Sequence, residues 1–148
     1  MLKVALIFPQ IPPNTGNIAR TCAATYTPLH LVEPLGFEIS DRYLKRAGLD
    51  YWQYVDLHIH ASLEAFQKLA IGRWVCFSAY GKIHFREFSY EADDWLLFGS
   101  ETEGLPSELL AKHPTVYIPM LHPKVRSLNL SVSVALGLFE ARRQLGLD

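Results

Sequence analysis

The sequence predicts an α/β fold: a mostly parallel sheet with helices on both faces. Short β-branched or aliphatic runs recur at regular intervals, and helical patterns fill most of the gaps between them. Alternation of this kind is the signature of strand-helix-strand units, which bury their strands under helices. At 148 residues the chain is also long enough for one substantial core, and no repeat, low-complexity stretch or Gly/Ser linker divides it. A single domain over 1–148 is expected.

In chain order, the expected strands are KVALIF (3–8), LHLV (29–32), DLHIH (56–60), RWVCFS (73–78), DWLLFG (94–99) and TVYIP (115–119). Each is too short for a helix and rich in β-formers. The expected helices are 17–26, 41–49, 62–69, 106–113 and 129–145, with proline at element ends. Asn14 or Asn17 is the expected cap of the first helix, and Ser127 or Asn129 that of the last. Pro106 suits a first helical position, and Glu108 complements the dipole of that helix.

Composition narrows the function classes. Hydrophobic residues make up 49%, charged residues 20% and aromatic residues 12%, which excludes a disordered chain. No apolar run approaches the ~20 residues of a membrane-spanning helix, and the start leads into PQIPPN rather than a cleavage site, so a cytoplasmic protein without membrane contact is expected. Cys22 and Cys76 form no CxxC, which leaves neither a disulfide framework nor a structural zinc site. His58-x-His60 would share one strand face, but no HExxH or carboxylate-histidine cluster accompanies it, and no metal is expected. Covalent catalysis lacks a GxSxG elbow or a Cys/His setting.

With 14 Lys+Arg against 15 Asp+Glu there is no global basic field, so a polyanion partner needs local patches. Candidates are Arg42, Lys45 and Arg46; Lys82 and Arg86; Lys124 and Arg126; and Arg142 and Arg143. Tyr43, Tyr51, Trp52, Tyr54, Tyr80 and Phe85 lie near them and offer stacking surfaces for unpaired bases. Solvated surface charge is the plainer reading of the same residues.

Three segments can carry chemistry. PQIPPNTGNIARTCAA (9–24) follows the first strand, where open α/β sheets bind ligands, but its lone Gly16 is not a dinucleotide fingerprint. Arg20, one turn into the helix, suits a phosphate or equally a structural ion pair. GSETEGLP (99–106) has phosphate-loop glycine spacing, but Leu105-Pro106 replaces Lys-Ser/Thr, and Glu101 and Glu103 would repel a triphosphate. A cationic or hydroxyl-bearing ligand fits it better, and a simple strand-to-helix turn explains it as well. The third, IPMLHPKVRSLNLSVSVALGLFEARRQ (118–144), joins a strand to the last helix through a long loop.

That last helix carries two apolar stripes. Leu130, Val134, Leu138 and Leu145 fall on one side, and Val132, Leu136 and Phe139 nearly opposite. One sheet face cannot cover both, so either the helix is wholly buried or the chain self-associates. Ser133 and Gly137 make a small-residue strip where another backbone could approach.

In this order and spacing the three segments resemble the motifs of the SPOUT superfamily of RNA methyltransferases, SpoU branch: NTGNIARTCAA, then LLFGSETEGLP, then IPM through SLNLSVSVALGLFEARRQ. LHLVEPLGFEISDRYLKRAGLDY (29–51) is similar to the short members that 2′-O-methylate the wobble nucleotide, cytidine or modified uridine 34, of certain tRNAs. The resemblance implies a deep trefoil knot at the C-terminal end and a homodimer through the last helix. It implies S-adenosylmethionine held by Ser78, Ala79 and Gly81, by Gly99, Ser100 and Glu101, and by Ile118, Met120, Ser127, Leu128 and Leu130. Glycine at 99 is expected to let main chain approach that ligand. The resemblance further implies catalytic roles for Arg20, Ser127, Asn129 and Glu101, and a grip on the anticodon stem-loop by Arg20, Lys45, Arg46, Arg126 and Arg142. Rival expectations are a non-catalytic RNA-binding module of the same fold, methylation at another tRNA or rRNA position, or a flavodoxin-like small-molecule binder.

Overall fold

The computed structural model describes residues 1–40, 42, 46 and 51–147. The chain runs β1 (Lys3–Ile7), α1 (Pro12–Ala24), β2 (Leu29–Val32), a 3-10 turn (Trp52–Tyr54), β3 (Leu57–His60), α2 (Leu63–Leu69), β4 (Trp74–Phe77), β5 (Ile83–His84), β6 (Trp95–Phe98), α3 (Ser107–Lys112), β7 (Thr115–Tyr117) and α4 (Leu130–Gln144). The seven strands form one sheet in the order β3-β2-β1-β6-β4-β7-β5, and every pairing in it is parallel.

The parallel sheet buries its four central strands on both faces, while the edge strands β3 and β5 stay partly exposed. β1, β2, β4 and β6 are buried along nearly their whole length, and successive residues feed two separate cores. Val4 and Leu6 of β1, with Leu96 and Phe98 of β6, face Ile18 and Cys22 of α1 and Val134, Leu138 and Ala141 of α4. Ala5, Ile7, Trp95 and Leu97 point the other way, onto Phe66 of α2 and Leu105 and Leu109 around α3. No helix among the described residues is long and apolar enough to cross a membrane.

Expected and observed elements agree to within one or two residues, with three exceptions. β5 was not expected, since two residues carry no periodicity. The first helix starts at Pro12, not at 17, because Pro12 and Pro13 occupy its first turn, where their missing N–H groups cost nothing. Neither Asn14 nor Asn17 caps it, since both lie within it and the N-cap position is Ile11. The third is the expected 41–49 helix: Arg42 and Arg46 are helical and exposed, and the rest of it, Lys45 and Tyr43 included, lies outside the described residues.

Both stripes of α4 are present. Val134 and Leu138 are fully buried, whereas Val132, Leu136 and Phe139 are 46%, 40% and 48% exposed. Within the Ser133–Gly137 strip, Gly137 packs on the chain's own core: a Cβ on it would lie 2.6 Å from the Phe77 ring, which stacks on Phe98 at 4.5 Å.

Candidate active site

The strand order reverses direction between β1 and β6, the topological position where open α/β sheets bind ligands. There β1 turns sharply into α1, with Phe8 in the left-handed region at φ 58. The turn leaves the N–H groups of Gln10 and Ile11 at the positive end of a helix whose own N-cap side chain accepts nothing. Glu101, from the loop after β6, fills that role. Its Oε1 accepts from the Gln10 N–H and its Oε2 from the Ile11 N–H, each at 2.8 Å.

Asn14 extends this contact across the site. It is buried inside the first turns of α1; its Nδ2 donates to Glu101 Oε2 at 3.3 Å, and its Oδ1 accepts from Asn129 Nδ2 at 3.0 Å. Asn129 caps α4, its Oδ1 accepting from the Ser131 N–H at 2.9 Å and the Val132 N–H at 3.4 Å. Between Ser127 and Asn129, the two expected caps, the structure selects Asn129. One chain of hydrogen bonds thus ties the three segments together.

Beside it opens a cavity of about 520 Å³, within the usual range for small-molecule sites. Ser78 and Ala79 after β4, Gly99, Ser100 and Glu101 after β6, and Ile118 and Met120 after β7 line it. Ser127, Leu128 and Leu130 close it from the start of α4, and Arg126 stands at its exposed rim. Leu105 and Ser133 also line it, and sequence reasoning had not assigned them to a site.

Two glycines stand at close main-chain approaches. A Cβ on Gly99 would sit 1.9 Å from the Gly104 carbonyl carbon, so closure of its own loop already requires glycine at this cavity-lining position. That loop is cinched by the Gly104 N–H donating to Ser100 O at 3.0 Å and the Glu103 N–H to Ser100 Oγ at 3.1 Å. Gly81 is absent from the cavity walls; it abuts the Val116 main chain and closes the preceding turn through its N–H to Ser78 O at 3.0 Å.

The basic residues separate into two kinds. Arg20 is exposed on α1 and is not part of the cavity wall; its guanidinium lies 4.6 Å from the centre of the Tyr51 ring. Arg46 is exposed. Arg142, by contrast, is half-buried and structural: Nη1 donates to Thr25 O at 3.3 Å and Nη2 to Leu147 O, pinning α4 to the end of α1.

Other titratable groups lie outside the site. His30 Nδ1 and His60 Nε2 are 2.8 Å apart, and the His58 ring stacks on His30 at 4.5 Å. Burial first, then the neighbouring His58 and His60, pushes His30 down to about 3, and burial lowers His60 as well. Among the described residues no group of three histidines, cysteines or carboxylates is arranged to hold a metal. Cys22 and Cys76 are free and buried, and burial pushes each thiol up to about 12, where it is inert.

Comparison with known proteins comes to the same place. The SpoU rRNA Methylase family matches residues 1–139. The chain is 46% identical to the tRNA (cytidine(34)-2'-O)-methyltransferase of Burkholderia cenocepacia, over 100% of this chain and 98% of that protein. It is 58% identical to a Synechocystis protein provisionally named for the same activity, over 98% and 97% of the two chains. A solved structure concerning 2-OH methylation of C/U34 on tRNA superposes with a TM-score of 0.95 at 51% identity, covering 99% of this chain and 97% of that one. An AdoMet-bound rRNA methyltransferase from Sinorhizobium meliloti superposes at 0.87 with 29% identity, covering 97% of this chain and 56% of that one.

Proposed function

Because the chain belongs to the SpoU rRNA methylase family, we propose that it is a cytoplasmic enzyme that transfers a methyl group from S-adenosylmethionine to the ribose 2′-hydroxyl of nucleotide 34, cytidine or modified uridine, in certain tRNAs. The observation that carries the reading is the hydrogen-bonded join of Glu101, Asn14 and Asn129, which ties all three family segments together beside a cavity that the second and third of them line. Full-length identity to tRNA (cytidine(34)-2'-O)-methyltransferases supports the choice of nucleotide.

The cavity suits the cofactor chemically. Its walls combine apolar surface from Ile118, Met120 and Leu128 with hydroxyls from Ser78, Ser100 and Ser127, and Glu101 and Glu103 supply negative charge compatible with a sulfonium. When bound, S-adenosylmethionine supplies an electrophilic methyl. The ribose oxygen forms the new O–CH3 bond as the S–CH3 bond breaks, and the hydroxyl proton must leave. A hydroxyl is a weak nucleophile near neutrality, so it has to be oriented in line and relieved of its proton. Arg20, its guanidinium fixed by a substrate phosphate, is assigned to orient that hydroxyl, and the proton passes to a phosphate oxygen or to solvent water. Ser127 and Asn129 are assigned to the ribose or cofactor edge. Glu101, whose oxygens are held by two main-chain N–H groups, braces the site. Arg126 at the rim, with Arg46 and Lys45, is assigned to the anticodon stem-loop; Nη1 and Nη2 of Arg142 already donate to main-chain carbonyls.

A homodimer through α4 belongs to the same reading. The exposed stripe of Val132, Leu136 and Phe139 adjoins an apolar hollow lined by Phe85, Ile118 and Pro119. Arg20 standing outside the walls of its own chain's cavity favours a site completed across that dimer. The knotted C-terminal path implied by the family is part of the proposal, supported by the likeness to solved relatives.

The experiment is methyl transfer from labelled S-adenosylmethionine to unmodified bulk tRNA, followed by nucleoside analysis. A 2′-O-methylated cytidine or uridine mapped to position 34 is the expected product. Binding of tRNA without transfer would favour a non-catalytic RNA module, and modification elsewhere would overturn the assignment of the nucleotide.

A further inference from the structure

Arg20 keeps an aromatic ring without a carboxylate, unlike Arg73, whose guanidinium meets both the Phe88 ring at 4.8 Å and acidic side chains, and unlike Arg143. Arg73 donates to both carboxylate oxygens of Asp94, at 2.8 and 2.7 Å, and Arg143 grips both oxygens of Glu140. Among the described residues no carboxylate pairs with Arg20. Its guanidinium carbon lies instead 4.6 Å from the centroid of the Tyr51 ring, and Nη2 sits 3.5 Å from Tyr51 Oη, the long limit of a hydrogen bond.

The difference has a chemical consequence. A carboxylate neutralises a guanidinium and occupies its N–H fork, so little remains for another anion. An aromatic ring covers one face of the planar group and leaves its N–H edge and its charge available. The ring is itself well anchored. Tyr51 opens the 3-10 turn, its carbonyl accepting from the Tyr54 N–H at 2.9 Å, and Trp52 and Val55 beside it pack against the core under α1.

We infer that Tyr51 is a positioning residue for Arg20, its ring holding the guanidinium by one face so that the N–H edge is presented to a phosphate of the RNA. The inference rests on the methyl-transfer reading above and adds to it a residue that touches neither cofactor nor cavity wall. Stacking also restricts a long, exposed side chain before substrate arrives, which reduces the ordering needed to bring its fork onto two oxygens.

Tyr51 variants assayed on the intact protein with tRNA and S-adenosylmethionine test this. Tyr51→Phe keeps the ring and should remain within about twofold of the unchanged protein. Tyr51→Leu keeps apolar bulk without a π face and should lower kcat by roughly five- to tenfold, with the KM for S-adenosylmethionine and the melting temperature little changed. In an Arg20→Ala background the same Tyr51→Leu change should have no further effect on turnover. Leucine matching tyrosine, or a full additional loss in the Arg20→Ala background, overturns the inference while the methyl-transfer reading stands. If the unchanged protein produces no 2′-O-methylated nucleoside, the methyl-transfer reading falls, and the Tyr51 assignment with it.

Discussion

The Nδ2 of Asn129 lies 3.0 Å from the Oδ1 of Asn14, and a third residue sets the direction of that hydrogen bond. Both oxygens of Glu101 accept main-chain N–H groups, and the Asn14 amide turns its NH2 toward Glu101 and its oxygen toward Asn129. Asn129 must then present its own NH2 to Asn14 and its oxygen to the N–H groups at the start of α4. One acid thereby polarises two amides in series and ends by capping a helix.

This polarity predicts that Asn14→Asp is more damaging than Asn14→Ala. The alanine variant should lose on the order of 1–2 kcal/mol, the cost of leaving hydrogen-bond partners unsatisfied. The aspartate sets a second carboxylate against Glu101 and should lose more at neutral pH, with the gap between the variants narrowing as the solution is acidified. Chemical denaturation of both variants at two pH values checks it.

Asn129 has two separable duties. Asn129→Ser retains a capping oxygen at the start of α4 but is too short to reach Asn14, so it should keep most of the ~1 kcal/mol a cap contributes while lowering turnover. Asn129→Ala should lose both. Melting temperature and single-turnover rate, measured on the same preparations, separate the two effects.

Arg20→Ala should reduce methyl transfer by orders of magnitude and leave S-adenosylmethionine affinity nearly unchanged, since Arg20 is no part of the cavity wall. Arg126→Ala, at the rim, should instead weaken tRNA binding and flatten its salt dependence. Calorimetry with the cofactor and filter binding with tRNA distinguish them. Near wild-type turnover in Arg20→Ala would remove the catalytic assignment.

Stability should fall on acidification through the range set by His30. The folded protein holds this imidazole neutral down to about 3, whereas the unfolded chain protonates it near the ordinary value of 6.5. Between those limits the unfolded state binds more protons, so unfolding becomes easier as pH drops, by at most about 1.4 kcal/mol per pH unit for each such histidine. The contribution is complete above 6.5 and is lost below it. His30→Phe should flatten the slope of unfolding free energy between pH 6.5 and 4.5, within the window bounded by the two values.

Leu136→Glu and Phe139→Glu should each convert a dimer to monomers, because each sets a charge into an apolar contact without disturbing the buried stripe of Val134 and Leu138. Sedimentation equilibrium at micromolar concentration reads the result. A wild-type protein with the mass of one chain would end the dimer proposal.

Much of the fold was legible because the strands are buried on both faces, which makes them read as unbroken aliphatic runs such as KVALI and WLLF. β5 escaped because its pairing with β7 supplies all that defines it. The start of α1 was misjudged because Pro12-Pro13 serves a turn and a helical first turn equally well, and what decides between them is Glu101, 90 residues from Ile11. The same distance hid Asn14, whose one local signal was a polar residue at a position that proved buried. Arg20 was legible as a candidate, but its partner was not, since nothing in the spacing of Arg20 and Tyr51 shows that a ring would meet a guanidinium.

Asn14 and Asn129 are 115 residues apart, and the first cannot find its partner until the second has been synthesised. A ribosome-bound chain can pair β1 with β2 early, but β6 and β7, which carry two of the three loops around the cavity, arrive late. No shortened product that lacks α4 can retain a partial version of this site, because the same absence removes a wall of the cavity and the amide that Asn14 requires. A site that needs α4 in two ways at once is therefore either whole or absent, and a chain released before α4 carries no weakened version of it.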